Sequence, residues 1–154
     1  MKKTTLLVLL AAAVGWAACS DGAKQRADEP QTDPLAAANG QTETHGAELK
    51  SVELTNPLDQ DMVKQGIGIY DVKCASCHKL TAERIVGPGW AGVTKRREPV
   101  WIMNMITNVD MMLETDPEAQ KLLEQCLVRM PNQNLSQQEA RSVLEYMRKN
   151  DGEK

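Results

Sequence analysis

Apolar positions divide this chain into three stretches of different character. Lys2 and Lys3 precede an apolar run from Leu6 to Val14, and small residues then lead up to Cys19. Basic, then apolar, then small is the order of a secretory signal, and the run is too short to span a bilayer. From Ser20 to about Asn56 the chain is rich in Ala, Gly, Gln, Thr, Asp and Glu, with Pro30 and Pro34 and no sustained apolar periodicity. That composition predicts a disordered tether over residues 19–56. Beyond it, apolar residues return at helical spacing.

A first helix is predicted from about Asp59 to Lys73, with Met62, Ile69 and Tyr70 on one face and Gly66 among them. A glycine inside a helix costs about 1 kcal/mol relative to Ala, so Gly66 predicts a close helix crossing. Pro99 suits the first position of a second helix, with Trp101, Ile102, Met105 and Ile106 as its apolar face. Asp116-Pro117 opens another, with Leu122, Leu123 and Leu127 inward. The last helix is the clearest: Ser136 and Glu139 have capping-box spacing, Leu135 stands in the staple position, and Val143, Leu144, Tyr146 and Met147 supply a buried face.

The chemistry concentrates in Cys74-Ala75-Ser76-Cys77-His78, a C-x-x-C-H run that is the covalent attachment signature of c-type haem. Two cysteines three apart on one turn reach the two vinyl groups of one porphyrin, and the following histidine lies under the ring as iron ligand. Two other chemistries use paired cysteines. Zinc needs four Cys or His ligands, for which the remaining candidates are His45, in the polar stretch, and the isolated Cys126. A thiol redox pair needs a βαβ setting, and no alternating Val and Ile pattern precedes Cys74. Composition agrees with haem. Phe is absent and the aromatics are Trp16, Tyr70, Trp90, Trp101 and Tyr146, so a buried porphyrin would supply flat apolar volume that the side chains lack.

Taken together, Gly66-x-x-x-Tyr70-x-x-x-Cys74-x-x-Cys77-His78 resembles the N-terminal helix of class I cytochromes c, over a region of about Asp59 to Lys149. The resemblance implies an all-α, cytochrome c-like fold of three to five helices around one covalently bound haem c, as a domain over residues 57–150. In that family the first and last helices cross closely, which would set Gly66 against Leu144, Tyr146 and Met147. Gly87-Pro88-Gly89, beginning nine residues after His78, resembles the family's Gly-Pro turn, and implies that the Pro88 carbonyl accepts a hydrogen bond from His78. Trp90 occupies a place that packs on the ring, with its indole N–H toward a propionate or water. Met130, followed by Pro131 and shortly before the last helix, stands where the family presents its axial methionine. A thioether favours ferrous iron. Met103, Met105, Met111 and Met112 read as core, His45 as a solvated linker residue, and Cys126 as a small buried hydrophobe.

Ala17-Ala18-Cys19 resembles the lipobox of bacterial lipoproteins, which implies cleavage after residue 18, a diacylated Cys19, and a periplasmic protein anchored to a bacterial membrane. Trp16 departs from the aliphatic residue usual there, and an ordinary soluble secreted form is the alternative. Loss of residues 1–18 removes two of the 18 basic residues and none of the 21 acidic ones, so the net charge becomes −5. That balance argues against nucleic acid. A tether of roughly 35 residues reaches on the order of 30 to 35 Å, far enough for a head to visit more than one partner.

With both axial sites filled by protein, iron has no place for a substrate, so the expected function is electron transfer rather than catalysis. A gas sensor, or a fixed haem subunit of a larger respiratory enzyme, is the alternative. The stretch from Gly87 through Met130 resembles small lipoprotein cytochromes that accompany terminal reductases, nitrous oxide reductases among them. The partners this implies are an electron-donor complex, such as a quinol-oxidising one, and a terminal reductase or oxidase.

Overall fold

A computed structural model describes residues 46–154, in which six helices and no β-strand occur. Helix α1 spans Gln60–Ile69 and begins where the Asp59 carboxylate accepts from the backbone N–H of Asp61 (2.9 Å) and Met62 (3.0 Å). It does not run on to Lys73 as an α-helix. Tyr70–Cys74 forms one wide turn, in which the Ala75 N–H donates to the Tyr70 carbonyl five residues back. Such a turn adds a residue per revolution and resets the register of the Cys74–His78 run relative to α1. Helix α2 is one turn, Val93–Arg96, and α3 is Pro99–Thr107. Asn108 ends α3 and its side chain caps the next helix, α4 (Val109–Thr115), accepting from Met111 N–H. Asp116 caps α5 (Pro117–Cys126), and the predicted Ser136/Glu139 capping box opens α6 (Gln137–Asn150). The count exceeds the expected three to five because α2 and α4 are too short to show a periodic apolar face.

Helix α1 packs most extensively on α6, and α6 also carries α3 and α2. The stripe that α1 buries is Val63, Gly66, Tyr70 and, past its end, Cys74, rather than Met62 and Ile69, which are half-buried. Gly66 is where the helices meet. A Cβ there would lie 2.8 Å from the Ser142 carbonyl carbon and 2.9 Å from Tyr146 Cβ, so backbone meets backbone at Ser142, not at Leu144 or Met147. Leu144 and Met147 instead join Tyr70, Trp90, Ile102, Ile106 and Leu135 in the core. Leu127 is not inward. It ends α5 in the left-handed conformation (φ 58°) with its side chain 85% exposed, because reversing the chain turns this residue off the helix's inner face.

The polar segment expected to be tether as far as residue 56 is ordered over 46–56 and bound to the helices. Asn104, buried in α3, accepts from Leu49 N–H (2.8 Å) and donates to the Leu49 carbonyl (3.0 Å), as a neighbouring strand would. Farther along, Glu145 of α6 is fully buried between Arg141 and Arg148 and accepts from Thr55 Oγ1 (2.7 Å) and Asp59 N–H (3.0 Å). Both arginines also donate outward, to the Glu53 carbonyl (2.9 Å) and the Thr55 carbonyl (3.0 Å). Backbone groups thus satisfy the buried charges, and the charges fix the backbone. Cys19, His45 and the signal segment lie outside the described residues.

Candidate haem site

The Cys74–His78 run continues from the wide turn as a helical turn, with Cys77 N–H (3.0 Å) and His78 N–H (2.9 Å) both donating to the Cys74 carbonyl. The chain then folds back on it. Gly87 N–H donates to the Cys77 carbonyl (2.8 Å), Trp90 N–H to the Lys79 carbonyl (2.8 Å), and the Tyr70 hydroxyl to the His78 carbonyl (2.8 Å). This places the Pro88 carbonyl oxygen 2.8 Å from His78 Nδ1. A carbonyl can only accept, so Nδ1 carries the proton and Nε2 keeps its lone pair. Gly87 is obligatory for the approach: a Cβ there would fall 2.8 Å from His78 Nδ1. Burial pulls the His78 pKa down, against the opposing effect of the Pro88 hydrogen bond, so the imidazole is neutral at pH 7, as a metal ligand must be. Burial likewise pushes the Cys74 thiol up to about 11.

Cys74, Cys77, His78, Pro88, Trp90 and Met130 all line one cavity of about 390 Å³, within the range of roughly 300 to 1,000 Å³ usual for cofactor sites. Its remaining wall is mainly apolar, with Ile102, Ile106, Leu122, Leu123, Leu135 and Val143. Met103, Met111 and Met112 do not reach it. Met105 and Met147 do, both from helices, whereas Met130 comes from the irregular chain between α5 and α6. Cys126, given no role from the sequence, also lines it.

Two tryptophans line the cavity. Trp90 is buried and packed in an aromatic group, its ring 4.8 Å from Tyr70 and 5.8 Å from His78. Trp101, read as simple core, lines the cavity with a buried indole N–H that has no acceptor. A buried unpaired N–H costs about 1 to 3 kcal/mol, and a carboxylate of a bound group would remove that cost. Arg97 lies over the same indole, 4.6 Å from the ring centroid, and both Arg96 and Arg97 line the cavity, so cationic partners for such a carboxylate are in place. The signal missed in the sequence is Arg97 shortly before Trp101: it stands in the extended link between α2 and α3, from which its guanidinium folds over the indole near the start of α3.

An apolar slot with two cysteines, a neutral imidazole, thioethers, and an orphaned indole N–H beside two arginines fits a porphyrin bearing propionates. Among the described residues no group of three or more His, Cys, Asp or Glu side chains suits a metal ion. Fold and site together define an all-helical protein built around one covalent haem.

The chain belongs to the cytochrome c family, whose profile matches residues 63–151. It is similar to the solved cytochrome c from Rhodothermus marinus, with 35% identity over 68% of this chain and 90% of that one, at a TM-score of 0.66. An engineered form of that protein matches at 34% identity over the same shares, with a TM-score of 0.65. The cytochrome c domain of the pp3183 protein from Pseudomonas putida matches at 30% identity over 56% of this chain and 87% of that one, with a TM-score of 0.50. No curated protein matches significantly. Membership of the family makes this a haem electron-transfer protein with one covalently attached haem c.

Proposed function

We propose that this chain is a six-coordinate, single-haem electron carrier tethered to a membrane on the periplasmic side. In this reading Cys74 and Cys77 would hold haem through thioethers, His78 Nε2 and Met130 Sδ would ligate its iron, Pro88 would hold the His78 tautomer, and Trp90 would pack on the ring. Trp101, Arg96 and Arg97 receive the propionates. Bound haem supplies a one-electron iron couple. The observation that carries the reading is the His78 Nδ1 to Pro88 hydrogen bond, which leaves Nε2 as the donor nitrogen of a histidine lining the same cavity as Met130. An acceptor on the far nitrogen makes the imidazole a stronger donor to iron. With protein on both axial positions, no exchangeable site is left for a substrate, which favours a carrier over a sensor or an enzyme.

The test is a redox titration of the full-length protein together with acid extraction of the denatured chain. One one-electron wave, and haem that stays with the polypeptide, are expected; extractable haem would contradict the thioethers.

The tether rests on residues 1–45. Cys19 would be the acylated residue after cleavage, and the polar residues that follow it would be the spacer up to the point where Gly46 joins the helices through Asn108. Mass spectrometry of the mature N-terminus decides between a lipidated Cys19 and a soluble secreted form. Donor and acceptor are assigned on resemblance alone, as a quinol-oxidising complex and a terminal reductase or oxidase.

A further inference from the structure

Asp151 is a carboxylate at a place where its own helix has no use for one. It follows the last residue of α6, at the C-terminal end, where the helix dipole disfavours negative charge. Both of its oxygens are engaged elsewhere. Oδ1 accepts from Gly92 N–H, and Oδ2 accepts from Thr94 N–H (2.8 Å) and from the Thr94 hydroxyl (2.7 Å).

Helix α2 depends on that grip. Its four residues make a single turn, too short to persist alone, and Gly92 before it has no side chain with which to cap it. Among the described residues, no side chain other than Asp151 accepts from the N–H groups at the start of this turn. Gly92 is left-handed (φ 74°), and a Cβ there would meet Arg96 Nη1 at 3.2 Å, so the turn and the arginine are fitted to each other.

This turn carries cations of the cavity. Val93 and Arg96 line it from α2, and Arg97 lines it from the residue after. Arg96 donates to the carbonyls of Gly89 (2.9 Å) and Ala91, and forms no ion pair among the described residues. Arg97 lies over the Trp101 indole and pairs with Glu118 (3.3 Å). Where α2 sits therefore decides where two guanidinium groups point.

We propose that Asp151 is a positioning residue for electron transfer: by holding α2, it keeps Arg96 and Arg97 on the carboxylates of the bound cofactor and so sets the reduction potential. The inference rests on the reading above, in which Trp101, Arg96 and Arg97 receive the propionates. Two effects of removing the Asp151 carboxylate oppose each other. Loss of a negative charge disfavours ferric iron and raises the potential. Loosened arginines leave the propionates uncompensated, which favours ferric iron and lowers it. The second effect wins. Asp151 is half-buried and outside the cavity lining, so solvent screens it from the iron, whereas the propionates belong to the porphyrin itself.

The experiment is a redox titration of the full-length holoprotein, with amide hydrogen exchange read by NMR in the ferrous state. Asp151→Asn keeps one acceptor oxygen where there were two and turns an N–H toward a donor. Its ferrous-to-ferric ratio at the unmodified midpoint potential falls about threefold, and the Gly92 and Thr94 amides exchange faster. In an Arg96→Gln background the same substitution moves the ratio less, since one of the groups being positioned is gone. Thr94→Val deletes one of the three hydrogen bonds and no charge, and lowers the ratio in the same direction. It carries the test if Asp151→Asn gives no holoprotein.

A potential that stays or rises in Asp151→Asn, or in Thr94→Val where that variant carries the test, overturns the positioning role. So does a fall without faster exchange at Gly92 and Thr94, or a shift of equal size in the Arg96→Gln background. Each of these leaves the carrier standing. If Arg96→Gln, Arg97→Gln and Trp101→Phe all keep the unmodified potential, the propionate assignment falls and the proposal with it. A protein with no one-electron wave overturns the carrier reading itself.

Discussion

Met130 shares the cavity with two other thioethers, Met105 and Met147, and the ligand assignment turns on separating them. Met130→Ala is expected to lose the weak near-infrared sulfur-to-iron charge-transfer band of the ferric protein. Met105→Leu and Met147→Leu should each keep that band and cost less than about 1.5 kcal/mol, since Leu nearly conserves the volume. Loss of the band in either Leu variant would move the ligand into a helix. Gly87→Ala provides a second test at this scale. Its Cβ would press on the His78 ring, so the holoprotein should unfold at lower urea, by about 1 to 3 kcal/mol. Wild-type stability in that variant would mean the Pro88 contact is loose. The sequence marked Met130 through Pro131 and its place before α6. It could not separate Met103 from Met105, which differ only in which side of α3 they occupy. Nor could it assign the two tryptophans, because an orphaned N–H is a property of the packed surroundings and not of residue type.

At the scale of elements, α6 is the most informative, and half of it was legible. Its capping box and apolar face follow from residue types. Arg141, Glu145 and Arg148 do not, since at this spacing they read as a solvated ion-pair ladder. They are buried because the Gly46–Asn56 segment covers them, through backbone contacts that a polar composition conceals. Burial pushes the Glu145 carboxyl up, but hydrogen bonds from Thr55, Arg141 and Asp59 N–H and the Arg141 charge outweigh it and hold the group below the usual carboxylate range. The sign follows: this stabilisation is complete above the unfolded-state value of about 4.3 and is lost as pH falls through the lower folded value. Glu145→Gln should therefore cost about 3 to 5 kcal/mol at neutral pH, where it leaves two buried arginines uncompensated. In urea unfolding the gap to the unmodified protein should narrow in acid. A gap independent of pH would show that the carboxylate charge is not what holds the segment.

For the molecule as a whole, the fold class and the covalent haem were legible, because covalent haem attachment demands fixed residue types at fixed spacing. The charge layout was not. An acidic total conceals a cavity lining with no carboxylate, which appears only once distant segments are brought together. The wide turn at Tyr70–Cys74 and the short helices α2 and α4 also escaped, being set by long-range packing rather than by local period. The central claim is that protein fills both axial positions, so that the iron exchanges electrons and nothing else. Exposure of the reduced full-length protein to carbon monoxide tests it most directly. The account predicts a visible spectrum unchanged by the gas, with binding appearing in Met130→Ala; prompt formation of a carbon monoxide adduct by the unmodified protein would contradict it.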